Sequence, residues 1–170
     1  MGIFRGQGAT EYLVLLAVVL IVALVSVALL GFFPGMASDA KITQSETYWR
    51  GQARPFAIID FVISATNTTN TSTGGLATLT FQNKEASGQY TITNITLANR
   101  QISVTTNMTS AVSFSPGQIQ NINVSTATGF GTNTPGAVYE YNVTIFYTAP
   151  NMGATSLKQY GTKPLVDRYV

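Results

Sequence analysis

Residues 12–33 carry no charge, and Ser26 and Gly31 are the only clear interruptions of an apolar run that ends at Pro34. The run exceeds the roughly 20 apolar residues that a helix needs to cross a bilayer. It also exceeds the apolar region of an ordinary secretory signal, on the order of 7 to 15 residues. Leu, Val and Ala fall on every side of a helical wheel, so the pattern predicts a helix over residues 8–33, about 39 Å long, that must be surrounded by lipid or by other helices. Pro34-Gly35 then predicts a stop or a kink, since proline lacks the amide proton and clashes with the preceding turn. It reads either as a simple membrane exit or as a joint between a packed helix and a tilting body. Residues 36–54 turn polar and predict a short amphipathic helix, with Ser38-Asp39 as its cap and Ile42, Tyr48 and Trp49 as its contacts. Trp49 reads as an anchor in a core or interface, and Arg54-Pro55 as a boundary, because the residue before proline leaves the helical region.

After Pro55 the pattern changes from helical to alternating, and Thr, Val, Ile, Tyr and Phe crowd between Gly, Asn and Pro turns. Strands are predicted over 56–64, 76–82, 89–97, 101–104, 111–114, 118–125, 138–148 and 155–165. The clearest is 138–148, where Tyr139, Tyr141, Val143, Ile145 and Tyr147 alternate with polar residues. In 89–97 the apolar parity shifts between Tyr90/Ile92 and Ile95/Leu97, which predicts a bulge near Asn94. Residues 56–63 are apolar on both parities apart from Asp60, which predicts a strand covered on both sides. Residues 66–75 hold no apolar side chain and predict a long exposed loop. The fold class is therefore α+β: a long N-terminal apolar helix, then an antiparallel immunoglobulin-like sandwich of seven or eight strands. Segment bounds follow as 1–6, a basic leader; 7–35, the helix; 36–55, a short helix and linker; and 56–170, the sandwich.

Only 9% of the 170 residues are charged and the formal net charge is +2, so no basic stripe is present to follow a phosphate backbone, and nucleic acid is not expected as a partner. Cys and His are both absent, which removes disulfides, thiolate nucleophiles and imidazole bases. Outside the helix the acids are Asp39, Glu46, Asp60, Glu85, Glu140 and Asp167, scattered without a pair at catalytic spacing. An enzyme is not expected, nor is a cofactor or a bound metal. Asn-X-Ser/Thr triplets begin at Asn67, Asn70, Asn94, Asn107, Asn123 and Asn142. Since 26 of the 83 residues in 66–148 are Ser or Thr, chance would give about half as many triplets, so these six are candidate N-glycosylation sites. The competing account of the threonine richness is that hydroxyl and amide groups keep a weakly charged surface soluble without sugar.

Two polar features sit at the mouth of the apolar run: Arg5-Gly6 immediately before it, and Glu11 inside its start. Together with the words Gln7-Gly8-Ala9-Thr10-Glu11-Tyr12-Leu13 they resemble the class III signal peptide of archaeal type IV pilins, over residues 1–33. The resemblance implies cleavage between Gly6 and Gln7 by a prepilin peptidase, with Gln7 as the mature N-terminus. It also implies that Glu11, fifth in the mature chain, neutralises the Gln7 amine during assembly; the alternative is that Glu11 snorkels to the bilayer surface. The partners implied are further copies of the chain bundled through their helices, with Ala17, Ala23, Ser26 and Ala28 as close-packing positions, the peptidase, and a membrane assembly platform with its ATPase. The place implied is a cell-surface filament used in adhesion or attachment, with a membrane-inserted precursor. The competing expectations are a monomeric surface glycoprotein or binding module on an uncleaved anchor, and a free domain released near Ser38-Asp39-Ala40.

Overall fold

The computed structural model describes residues 7–64, 76–100, 103–125, 130, 134–153 and 155–170. One helix, α1 (Gln7–Thr47), precedes eight strands: β1 (Phe56–Ile63), β2 (Leu76–Asn83), β3 (Tyr90–Ala98), β4 (Ser103–Phe114), β5 (Ile119–Ser125), β6 (Val138–Thr148), β7 (Leu157–Tyr160) and β8 (Leu165–Arg168). The chain divides into two compact units, Met1–Ala40 and Lys41–Val170, so α1 contributes its last turns to the second.

The expected stop at Pro34 does not occur: α1 is one helix of 41 residues, and the predicted separate helix after Ser38-Asp39 is its continuation. Ending one helix and starting another would strand up to four carbonyls and four amides, whereas passing through proline sacrifices a single amide donor. The helix ends instead in a π-helical turn, Tyr48–Gln52, closed by the Ala53 amide donating to the Tyr48 carbonyl at 3.0 Å. Arg54-Pro55, a cis peptide, then leads into β1, at the boundary the proline predicts.

All strand pairs are antiparallel, in a three-stranded sheet of order β1-β2-β5 and a larger sheet of order β4-β3-β6-β7, with β8 also on β6. Phe61, Leu79 and Val124 from the small sheet meet Ile95, Leu97 and Ile145 from the large one in a shared core. The alternation read in 138–148 holds, with Tyr139, Tyr141, Val143 and Ile145 buried and Tyr147 half-buried against the core. The bulge expected near Asn94 is present: Ile92 faces Tyr147 but Asn94 faces Phe146, leaving Thr93 as the extra residue.

Three expectations change. Residues 56–63 are apolar on both parities because β1 carries its own bulge: Ile58 faces Phe81 and Asp60 faces Thr80, so Ile59 is extra. The inward set changes phase there, from Phe56 and Ile58 to Phe61 and Ile63, while Val62 is exposed, so only the first three residues are covered on both sides. The predicted strands 101–104 and 111–114 belong to one strand, β4, in which residues 108–111 stand against Thr93 alone. The predicted strand 155–165 is two, for Tyr160 faces Thr144 and Leu165 faces Tyr141, so residues 161–164 span only Asn142 and Val143. Gly161 and Pro164 lie in that interruption, where a ladder residue is hardest to maintain.

The sheets are also tied by side chains. Buried Gln159 on β7 accepts from the Phe56 amide at 3.0 Å and donates to its carbonyl at 2.8 Å, imitating a strand partner at the edge of β1. Gln159→Leu keeps the volume but orphans both backbone groups, and should cost about 2 kcal/mol, read as a lower urea midpoint of the detergent-solubilised chain at unchanged slope. A midpoint within error of wild type would show the bridge to be dispensable.

Candidate functional site

The first candidate is the exposed length of α1. Leu15, Val19, Val27, Leu24 and Ile21 succeed one another around its axis at 100° per residue, and each is between 60% and 69% exposed. The helix is long and apolar enough to cross a membrane. The Ser26 hydroxyl donates to the Val22 carbonyl at 2.7 Å, which satisfies it within the helix and lets the position act as a small packing residue in an apolar setting. Glu11 is exposed in the second turn. Gln7 is the first helical residue, so Gln7 and Glu11 stand four apart and on one side of the axis. Gly6 lies outside the described residues.

The second candidate is where the end of α1 seats in the Lys41–Val170 unit. Ser45, buried on the last turn, fastens the helix to the start of β8: its Oγ donates to the Pro164 carbonyl at 2.9 Å and accepts from the Val166 amide at 2.9 Å. Tyr48 Oη accepts from the Thr162 amide at 3.1 Å. Trp49, fully buried, covers Gly161, whose own amide continues the ladder to the Val143 carbonyl at 3.0 Å. Its indole Nε1 is buried with no acceptor among the described residues, so packing rather than a hydrogen bond holds the ring. Two hydroxyls thereby satisfy backbone groups after Tyr160 and at the start of β8. A surface ion pair, Lys41 Nζ to Glu140 Oε2 at 3.1 Å, flanks the clasp and adds little, both groups being solvated. The expected contacts Ile42, Tyr48 and Trp49 all face the body, Ile42 half-buried. Ser45 was the residue missed, and Gly161 and Pro164 inside a predicted strand were the available signal.

The third candidate is the set of asparagine triplets. Asn67 and Asn70, with the predicted loop 66–75, lie outside the described residues. Asn123 is exposed on β5, and its Oδ1 accepts from Thr78 Oγ1 at 3.0 Å, leaving the amide nitrogen, to which sugar attaches, directed away from that bond. Asn94 is half-buried at the β3 bulge, with Oδ1 accepting from the Ile95 amide at 2.8 Å. Asn107 lies opposite it on β4, with its side chain outside those described. Asn142 is exposed on β6, and Thr144 of the same triplet shares its face.

At the end of the sandwich near the C-terminal strand the hydroxyls of Tyr141 and Tyr169 share a hydrogen bond of 2.8 Å, and Tyr141 also donates to the Phe130 carbonyl at 3.2 Å. Burial pushes the Tyr141 phenol well above its ordinary range, and the same cause, with the charge of Asp167 added, pushes Tyr139 further. Both phenols are therefore neutral packing groups at any physiological pH. Among the described residues no three His, Cys, Asp or Glu side chains converge on a point where a metal could bind. No protein-family model and no curated protein matches this chain.

Proposed function

We propose that this chain is a structural subunit of a type IV pilin-like surface filament, held in the membrane by α1 as a precursor and polymerised through α1 after its leader is removed. The observation that carries the reading is a helix apolar and exposed around its whole circumference, joined to a body whose own core is closed. A helix of this kind is stable only in lipid or against other helices, and one environment can be exchanged for the other without exposing apolar surface to water. Close approach of the backbones at Ala17, Ala23, Ser26 and Ala28 would favour the second. The Gly6-Gln7 junction and Glu11 supply the resemblance to pilins, with a prepilin peptidase, an assembly platform and its ATPase as the corresponding partners and attachment to surfaces as the role.

The N-terminal mass of the native protein tests this reading. A start at Gln7 is expected; a start at Met1 would make the chain an anchored surface protein, and a start at Lys41 a free domain. Gly6→Trp should block the cut and leave a precursor about six residues heavier, because peptidases of this kind require a small residue before the scissile bond. Normal maturation of Gly6→Trp would remove the processing step from the proposal.

A further inference from the structure

Strand register brings a solvent-facing aromatic ring beside one of the asparagine triplets. On the outer face of the large sheet Asn142, Thr144 and Phe146 follow one another along β6, and Lys158 and Tyr160 along β7. Tyr160 is directly opposite Thr144 and Lys158 opposite Phe146. Asn142 is therefore the diagonal neighbour of Tyr160, about 7 to 8 Å away between backbones and within reach of a large side chain. The Phe146 ring is already occupied, with Lys158 Nζ 5.1 Å from its centre. Tyr160 has no such cover and is 65% exposed, among the most open large apolar side chains of the Lys41–Val170 unit. The neighbours include hydroxyls, Thr96 lying beside Thr144 by register with its Oγ1 bonded to Thr105 Oγ1 at 3.1 Å, and the charged groups on this face are already engaged, Lys158 on the Phe146 ring and Glu140 with Lys41 Nζ at 3.1 Å.

We propose that Asn142 carries an N-linked glycan whose first pyranose lies on the Tyr160 ring. A pyranose is about as wide as the diagonal spacing and presents one face of C–H groups, which suits the negative face of an aromatic quadrupole. Its hydroxyls can meet Thr144 from the same side. The occupant is a sugar because the ring has an acceptor asparagine beside it and polar neighbours whose charges are already engaged, a setting without the apolar continuity that a second protein surface would use. Asn94 serves as the internal contrast: its side chain is half-buried, its Oδ1 holds the Ile95 amide and the hydroxyl of its triplet holds Thr105, so it offers a sugar no comparable seat. The inference shares with the proposed function only the placement of the body outside the cell. It is read on whatever mature protein the cells contain, filamentous or membrane-held, so loss of filaments does not affect it.

The test combines glycopeptide mass spectrometry of native protein with thermal unfolding of the solubilised full chain, followed by near-ultraviolet circular dichroism. Sugar is expected at Asn142, and Asn142→Gln should lower the midpoint by about 3 °C. In the Tyr160→Ala background, which loses no core contact, the same substitution should produce no shift, whereas Tyr160→Phe should retain it. Unmodified Asn142 overturns the proposal, including the case in which Tyr160 instead serves a free polysaccharide. Sugar at Asn142 with equal shifts in both backgrounds overturns the packing on Tyr160.

Discussion

Glu11→Gln cells are expected to insert the chain, cut it after Gly6, and then accumulate mature subunit in the membrane with few or short filaments. Glu11 stands one helical turn after Gln7 in α1, so under the proposed cleavage its carboxylate would have the new amine of its own subunit or of a neighbour within reach. In the membrane the end of the helix is close to water, and an ionised side chain there can snorkel at modest cost. Inside a helix bundle that outlet closes. Paired charges can be buried together, but removing one partner leaves the other uncompensated, a penalty of several kcal/mol per subunit. Because a filament repeats that penalty at every subunit, even the lower end of the range should suppress polymerisation. Insertion itself should be unaffected or improved, since removing a charge lowers the cost of membrane burial. Electron micrographs set against the amount of membrane-held mature protein measure the effect. Wild-type filament yield from Glu11→Gln cells would leave Glu11 as a snorkelling residue and the bundle as one held by apolar packing alone.

Where side-chain periodicity and backbone geometry agree, the fold was legible without coordinates. The alternation from Tyr139 to Tyr147 appears unchanged as β6, and the parity shift in 89–97 appears as the bulge at Thr93. In 56–63 the same kind of parity shift was present but masked, since Ala57, Ile59 and Val62 are apolar as well, and a bulge cannot then be distinguished from a strand covered on both faces. The stop expected at Pro34 failed for an energetic reason: local propensity weighs one lost amide, while two extra helix ends strand many more groups. The clasp was least legible of all. Ser45 is an ordinary polar residue of a polar helical segment, and its role depends on the start of β8, 119 residues away along the chain at Pro164 and 121 at Val166. No local pattern encodes a contact of that separation. The exposure of Asn142 was legible from the alternation in 138–148, whereas the half-burial of Asn94 was not, because it sits at the β3 bulge where strand phase changes. Pattern singled out Glu11 and the words Gly6-Gln7, and the roles proposed for them concern partners outside a single chain.

Trp49→Ala should have the largest effect on stability of any single change in the body, about 3 to 5 kcal/mol, within a total of about 5 to 15 kcal/mol for a domain. The indole is fully buried, contacts Tyr48 edge-on at 5.1 Å between ring centres, and lies against Gly161 so closely that a methyl there would collide with Cζ2 and Cη2. The same geometry makes a reciprocal prediction. Gly161→Ala is tolerable to the backbone, yet should cost about 1 to 3 kcal/mol through overpacking, with a red shift in fluorescence that reports this site directly because Trp49 is the only tryptophan. In the Trp49→Ala background the cavity receives the new methyl, so adding Gly161→Ala should cost nothing further. The two substitutions then show a coupling of about 1 to 3 kcal/mol in a double-mutant cycle. Circular dichroism of the solubilised chain in urea follows all four proteins on one signal. Additive losses would mean that the ring does not rest on Gly161, and that Ser45 and Tyr48 alone fasten the helix to the interrupted strand.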